Sequence, residues 1–204
     1  MLLIIDYKAG NLRSVQRACQ KVGMDAVISS NPDTVRAAER IIFPGVGAAG
    51  SAMQSLRESG MNEAILEFVR EGKPVFGICL GLQISMDYSE ENNQETLGLL
   101  AGNVQRFDLT NAALKIPHMG WNSIVIQQNH HMLEGVKSSD EFYFVHSYYS
   151  NPTNVKNIFG ITHYGNDFVS VVAKENYFAT QFHPEKSGKV GLRMLSRFAT
   201  WDGD

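Results

Sequence analysis

Four short, wholly apolar runs place the tightest limit on how this chain can fold. They are Leu2 to Ile5, Ala26 to Ile28, Ile41 to Phe43 and Val75 to Ile78. A strand without a polar face must be covered on both sides. Between the runs, Leu12, Val15, Ala18, Cys19 and Val22 recur at helical spacing, as do Met61, Ile65, Phe68 and Val69. Asn11 stands where a helix cap belongs, and Gly23 and Gly72 stand where helices end. Pro32, after Asn31, suits the first turn of a short helix. Strand, loop and helix therefore alternate to about residue 88, the pattern of a parallel sheet with helices on both faces. Further on, strands are expected near 104–107, 123–127, 141–145, 155–163, 168–173 and 177–182, as an antiparallel extension. Helices are expected near 51–58 and 61–71, over Leu80 to Met86, and near 188–200 with Leu192, Leu195 and Phe198 inward. The expected class is α/β: a three-layer sandwich whose mostly parallel central sheet is extended by antiparallel strands. One domain over residues 1–204 is expected.

Composition enters by what it disfavours. Net charge is −3 with no long basic run, so binding to a phosphate backbone has no electrostatic support. Two cysteines, Cys19 and Cys79, cannot make a disulfide framework, and six scattered histidines without a Cys-x-x-Cys argue against zinc. The first apolar run ends after five residues and lacks a basic lead, unlike a signal peptide. No stretch approaches a membrane span in length. A cytoplasmic chain with no nucleic-acid or membrane partner is expected. Cys19 lies on an apolar helical stripe and reads as a small buried hydrophobe.

Cys79 is different. Gly77-Ile78-Cys79-Leu80-Gly81 follows an apolar run and has the form Gly-x-nucleophile-x-Gly. Such a turn lifts the central side chain to the carboxyl end of a sheet, where these folds bind ligands. Amides at a helix start there favour a thiolate and can face an oxyanion. The other reading is a cysteine buried in a glycine-rich turn. A nucleophile also needs a base and a group to orient it. Late in the chain stands Phe182-His183-Pro184-Glu185. Positions i and i+2 of an extended segment face the same way. Glu185 could then hold the imidazole of His183 while His183 exchanges a proton with Cys79. An ordinary polar turn is the rival. Pro44-Gly45-Val46-Gly47 is the third element, with the Val46 N–H as one oxyanion donor and the Leu80 N–H as a second. A nucleotide loop is disfavoured there, because no Gly-Lys-Ser/Thr ending follows.

Together these residues resemble the class I glutamine amidotransferases, which carry a cysteine at an elbow and a late His-x-Glu. Five segments are similar to one branch of that family, the glutaminase subunits of imidazole glycerol phosphate synthase. They are Asp6-Tyr7 with Gly10-Asn11-Leu12, Pro44 to Gly47, Pro117 to Asn122, Phe144 to Tyr148 and His183 to Ser187. The resemblance runs nearly end to end. It implies that Cys79 attacks the side-chain amide of L-glutamine, His183 protonates the departing ammonia and Glu185 orients His183. It implies that Gln83, Gly47, Ser147 and Tyr148 contact the substrate. Its implied partner is a (β/α)8-barrel cyclase, bound as a heterodimer through Trp121, Asn122, Tyr143 and Lys186. Ammonia would pass to a phosphoribulosyl nucleotide in histidine biosynthesis, with no metal or organic cofactor. Lys8, Ala49 and Gly188 depart from the family's usual residues, and none removes a catalytic atom. The competing readings are a glutaminase serving another synthase, a non-catalytic binding subunit, and a cysteine peptidase or other hydrolase.

Overall fold

A computed structural model of the protein describes residues 1–8, 10–109 and 114–204. Ala9, in the expected Asp6 to Gly10 loop, lies outside the described residues. In chain order the first elements are β1 (Leu2–Ile5), α1 (Leu12–Lys21), β2 (Ala26–Ser29), α2 (Pro32–Ala37), β3 (Arg40–Gly45), α3 (Ala49–Ser59), α4 (Met61–Arg70), β4 (Val75–Cys79) and α5 (Leu80–Gln83). Short strands β5 (Tyr88–Ser89) and β6 (Gln94–Glu95) follow, then β7 (Gly102–Arg106), β8 (His118–Ser123), β9 (Val125–Ile126), β10 (Glu141–His146) and β11 (Tyr148–Pro152). The chain closes with β12 (Ile158–Tyr164), β13 (Asn166–Lys174), β14 (Tyr177–Thr180) and α6 (Gly188–Thr200).

The main sheet runs β2-β1-β3-β4-β14-β13-β11-β7-β5-β6, with β12 and β9 branching from β13. Strands β2, β1, β3, β4 and β14 are parallel. From β13 through β11 to β7 the pairing is antiparallel. A separate two-stranded ladder joins β8 and β10.

The apolar runs alternate between two cores. Leu3, Ile5, Ile41, Phe43 and Val75 pack under α2, α3 and α4. Leu2, Ile4, Ile42, Phe76 and Ile78 pack under α1 and α6. Both faces are covered, which is why the runs carry no polar alternation. Burying one large side chain such as Phe68 on α4 contributes about 1.5–3 kcal/mol.

Several local expectations need correction. The helix after Cys79 spans only Leu80–Gln83, because the chain turns away at Ile84 and does not continue to Met86. Pro44 and Gly45 belong to strand β3, paired with Ile78 and Cys79. Pro44 lacks a backbone donor yet is tolerated at this strand end. Residues 118–123 form a strand, and residues 155–157 form a 3-10 turn before β12. Strands β5, β6 and β11 had no clear apolar signal. Asn11 occupies the cap position of α1 but makes no capping bond; its side chain turns elsewhere.

Candidate active site

The parallel register brings three strand ends together. Gly45 of β3 lies opposite Cys79, and Thr180 of β14 lies opposite Ile78. Segments 46–47 and 181–185 therefore emerge on either side of the cysteine. Cys79 sits at φ 54, ψ −101, in the positive-φ region that a residue with a Cβ adopts only under constraint. The glycines on either side supply that constraint by close packing. A Cβ on Gly81 would lie 2.0 Å from the carbonyl oxygen of Phe43. One on Gly77 would lie 2.6 Å from the Tyr177 hydroxyl oxygen. The elbow can form because neither position has a side chain.

His183 and Glu185 are 1% and 0% exposed at their side chains, and His183 Nδ1 lies 2.8 Å from Glu185 Oε1. The carboxylate accepts, so Nδ1 carries the proton. Asn11 Nδ2 donates to the same Oε1. That contact accounts for the missing helix cap. His183 Nε2 and Glu185 Oε2 have no hydrogen-bond partner among the described residues. Burial pulls the His183 imidazole down, but the adjacent negative charges of Cys79 and then Glu185 outweigh it and push it up to about 10. The imidazole is therefore set to hold a proton beside Sγ. Cys19 is unlike Cys79: burial, with some help from Glu185, pushes its thiol up to about 12, and it packs in the core.

Cys79 opens onto a cavity of about 430 Å³ lined by Val46, Gly47, Leu80, Gln83, Ser147 and Tyr148 among others. Larger cavities exist; one of about 1150 Å³ runs past His130, Lys156 and Lys174. It is lined by no cysteine or serine, and the cysteine, histidine and glutamate do not converge there. Gln83 Nε2 donates to the Tyr148 carbonyl at 2.8 Å and to Gln181 Oε1 at 3.1 Å. Its Oε1 is left to accept from a ligand. The Tyr148 carbonyl is thus engaged inside the protein.

Two residues near Cys79 escape sequence reasoning. Glu91 lines the cavity while its Oε2 accepts the Ala49 N–H at 2.8 Å. Burial raises its carboxyl, and that backbone bond opposes the rise. The carboxylate can face a ligand ammonium. Gln181 Nε2 lies 3.6 Å from Cys79 Sγ. Neither residue has a motif of its own, although Gln181 sits two places before His183.

Of the remaining sequence candidates, Lys186 lines the cavity, while Trp121, Asn122 and Tyr143 stand on β8 and β10. Trp121 and Met119 on β8 are 54% and 62% exposed. Trp121 meets Tyr143 of β10 edge-on at 6.0 Å, and Lys186 Nζ stands 5.6 Å over the Tyr143 ring. Asn122 differs, since its amide turns inward to the His163 carbonyl at 2.9 Å. Of the three departures, Lys8 and Gly188 both have positive φ, 67 and 59, and Ala49 is fully buried at the start of α3. Glycine suits the backbone at 188, whereas Lys8 adopts it with an Asp6 Oδ1 contact to its N–H. Among the described residues no group of three or more His, Cys, Asp or Glu could hold a metal, and no helix is long and apolar enough to cross a membrane.

A strained nucleophile elbow, a His-Glu pair and an α/β sheet define a glutamine amidotransferase of the class I type. The family model "Glutamine amidotransferase class-I" matches residues 3–200, and the chain belongs to that family. Within it, the chain is 45% identical over 203 residues to "Imidazole glycerol phosphate synthase subunit HisH" of Nitratidesulfovibrio vulgaris (strain DP4), covering 97% of this chain and 95% of that protein. The protein of the same name from Neisseria gonorrhoeae is 44% identical over 209 residues, covering 97% and 98%. The fold is shared with PurLQS from Thermotoga maritima at a TM-score of 0.76, with 19% identity and 98% and 97% coverage. A crystal structure of a glutamine amidotransferase gives a TM-score of 0.75 at 20% identity, covering 98% and 99%.

Proposed function

We propose that this chain is the glutaminase subunit of imidazole glycerol phosphate synthase and supplies ammonia for histidine biosynthesis. One observation carries the reading: Cys79 stands at a positive-φ elbow beside the proton-holding, Glu185-bound imidazole of His183, at the mouth of a cavity sized for an amino acid.

The Cys79 thiolate attacks the side-chain carbonyl carbon of L-glutamine. Leu80 and Val46 line the same cavity as Cys79, and their backbone N–H groups are the donors proposed for the oxyanion. His183 gives its proton to the amide nitrogen, the C–N bond breaks and ammonia leaves, with a glutamyl thioester remaining. His183 then takes a proton from water as the water attacks the thioester, and glutamate departs. Glu185 keeps the imidazole in the tautomer with Nε2 toward Sγ. Gln83 Oε1, the Gly47 backbone and the backbone near Ser147 hold the substrate, and Glu91 faces its α-ammonium.

The relatives' names describe a synthase subunit, which implies a second subunit. The exposed Met119, Trp121 and Lys186, with the half-buried Tyr143 between Trp121 and Lys186, supply a surface for one. We assign that surface to the (β/α)8-barrel cyclase. The test is glutamate production by this chain with a barrel cyclase, with and without the phosphoribulosyl nucleotide, alongside Cys79→Ala. Stimulation that disappears in the variant is expected. Cys79-dependent hydrolysis with no stimulation would move the chain to another synthase. No hydrolysis in a folded complex would end the glutaminase reading.

A further inference from the structure

We propose that Gln181 is a positioning residue for Cys79 and that a hydrogen-bond path, whose two donor arms converge on the Tyr148 carbonyl, connects it with Asn122 on the β8–β10 ladder. The role of Cys79 rests on the reading above; the path itself follows from geometry.

Donor and acceptor roles can be assigned along the whole path. The Tyr148 carbonyl can only accept, so His146 Nδ1, at 2.7 Å, carries the proton. Burial holds His146 far below its usual range, to about 3, so the ring is neutral and its Nε2 is bare. That nitrogen accepts from His118 Nδ1 at 3.0 Å. Burial lowers His118 to about 4, so its Nε2 is bare in turn and faces Asn122 Nδ2 at 3.4 Å. The Asn122 amide must point its nitrogen inward, because it also donates to the His163 carbonyl.

The same carbonyl of Tyr148 receives Gln83 Nε2, whose second hydrogen goes to Gln181 Oε1. With its oxygen so engaged, Gln181 can present only Nε2 to Cys79 Sγ. Partner chemistry, not choice of rotamer, fixes this amide flip. Gln181 is fully buried, and its backbone N–H is tied to the Ser170 carbonyl at 2.9 Å, so it has little freedom to turn. Sγ therefore receives the Gln181 amide on one side, while His183 Nε2 has no hydrogen-bond partner among the described residues. The remaining side faces the cavity. A thiolate so held needs no reorientation before attack.

The far end of the path is informative. Asn122 neighbours Trp121 on β8, whose exposed side forms the proposed docking surface. A shift of β8 on docking carries Asn122 and His118 together and alters the His118–His146 contact across to β10 first. The disturbance then reaches the Tyr148 carbonyl, Gln83 and Gln181. A polar path thus threads between the core aromatics Phe107, Phe144 and Phe168 and connects the docking ladder with the nucleophile.

The test is alkylation of Cys79 by iodoacetamide in the full chain at neutral pH, read by mass spectrometry at that residue. Cys19, with its raised thiol, serves as an internal reference. Gln181→Met keeps the side-chain size and removes the donor. A hydrogen bond to a charged group is worth enough that alkylation of the folded variant is expected to slow about tenfold. Gln83→Met frees the Gln181 amide to turn, and His146→Phe breaks the path among aromatic neighbours; each is expected to slow alkylation several-fold. Wild-type or faster alkylation in folded Gln181→Met overturns the positioning role. If that variant does not fold, Gln83→Met decides in the same way. Unchanged alkylation in His146→Phe overturns the link to the ladder. Absent glutamine turnover in the wild type, with the alkylation effects intact, would count against the glutaminase reading and leave this one standing.

Discussion

Asn11 offers the sharpest test of how the buried carboxylate is held. The Glu185 side chain is fully buried, and its Oε1 accepts from His183 Nδ1 and from Asn11 Nδ2. Its Oε2 has no partner among the described residues. Removing the Asn11 amide takes away one of two donors from a buried charge, which costs about 1.5–3 kcal/mol. Asn11 also sits at φ 75, where a residue with an ordinary side chain costs about 1–2 kcal/mol. Two variants separate these effects. Asn11→Gly removes the amide but suits the backbone, so urea unfolding should show a loss of about 1.5–3 kcal/mol. Asn11→Ala loses the amide and adds strain, so its loss should be greater by about 1–2 kcal/mol. Without the amide, Glu185 orients His183 less firmly, and glutamine turnover in the synthase complex should fall about tenfold. Wild-type stability and turnover in Asn11→Gly would refute the reasoning. Equal losses in both variants would show that backbone strain at Asn11 is unimportant.

Other consequences follow from the same geometry. Gly81→Ala sets a methyl 2.0 Å from the Phe43 carbonyl, so chemical denaturation should show a loss of about 1–3 kcal/mol and kcat should fall as the elbow shifts. Because the His183 pKa is raised from 6.5 to about 10, its stabilising contribution is complete below about pH 6.5 and is lost as pH rises through about 10. The Cys79→Ala variant lacks the larger of the two charges that raise it, and should lose less stability over that window in denaturation midpoints taken across it. Trp121→Ala should weaken cyclase binding at least tenfold by calorimetry, as for a central aromatic anchor, and leave the melting temperature unchanged.

Much of the parallel sheet is legible in the sequence, since Leu2 to Ile5, Ile41 to Phe43 and Val75 to Ile78 carry their burial as uninterrupted apolar runs. The weak strands are not. Tyr148–Pro152 and Gln94–Glu95 pair because neighbours supply their ladders, and pairing partners leave no local pattern. Residues 118–123 carry a family motif rather than an alternating one, so their strand shows only beside β10. Helix α5 is shorter than its apolar content suggests, because Leu82 and Ile84 are buried by tertiary contacts whether or not the helix continues.

The candidate site divides along the same line. Gly77, Cys79 and Gly81 lie within five residues, and His183 and Glu185 within three, so their chemistry is written in local spacing. Asn11 meets Glu185 across 174 positions, and Gln181 meets Cys79 across 102. Glu91 enters the cavity from a turn with no motif. By itself the sequence determined the covered parallel sheet, the elbow and the His-Glu pair, because apolar periodicity and glycine steric demands act between near neighbours. Only the tertiary structure decided which donors hold Glu185, which way the Gln83 and Gln181 amides point, and that Asn122 turns inward while Trp121 stays exposed. Hydrogen-bond polarity depends on partners brought together by the fold, and no single residue carries that information.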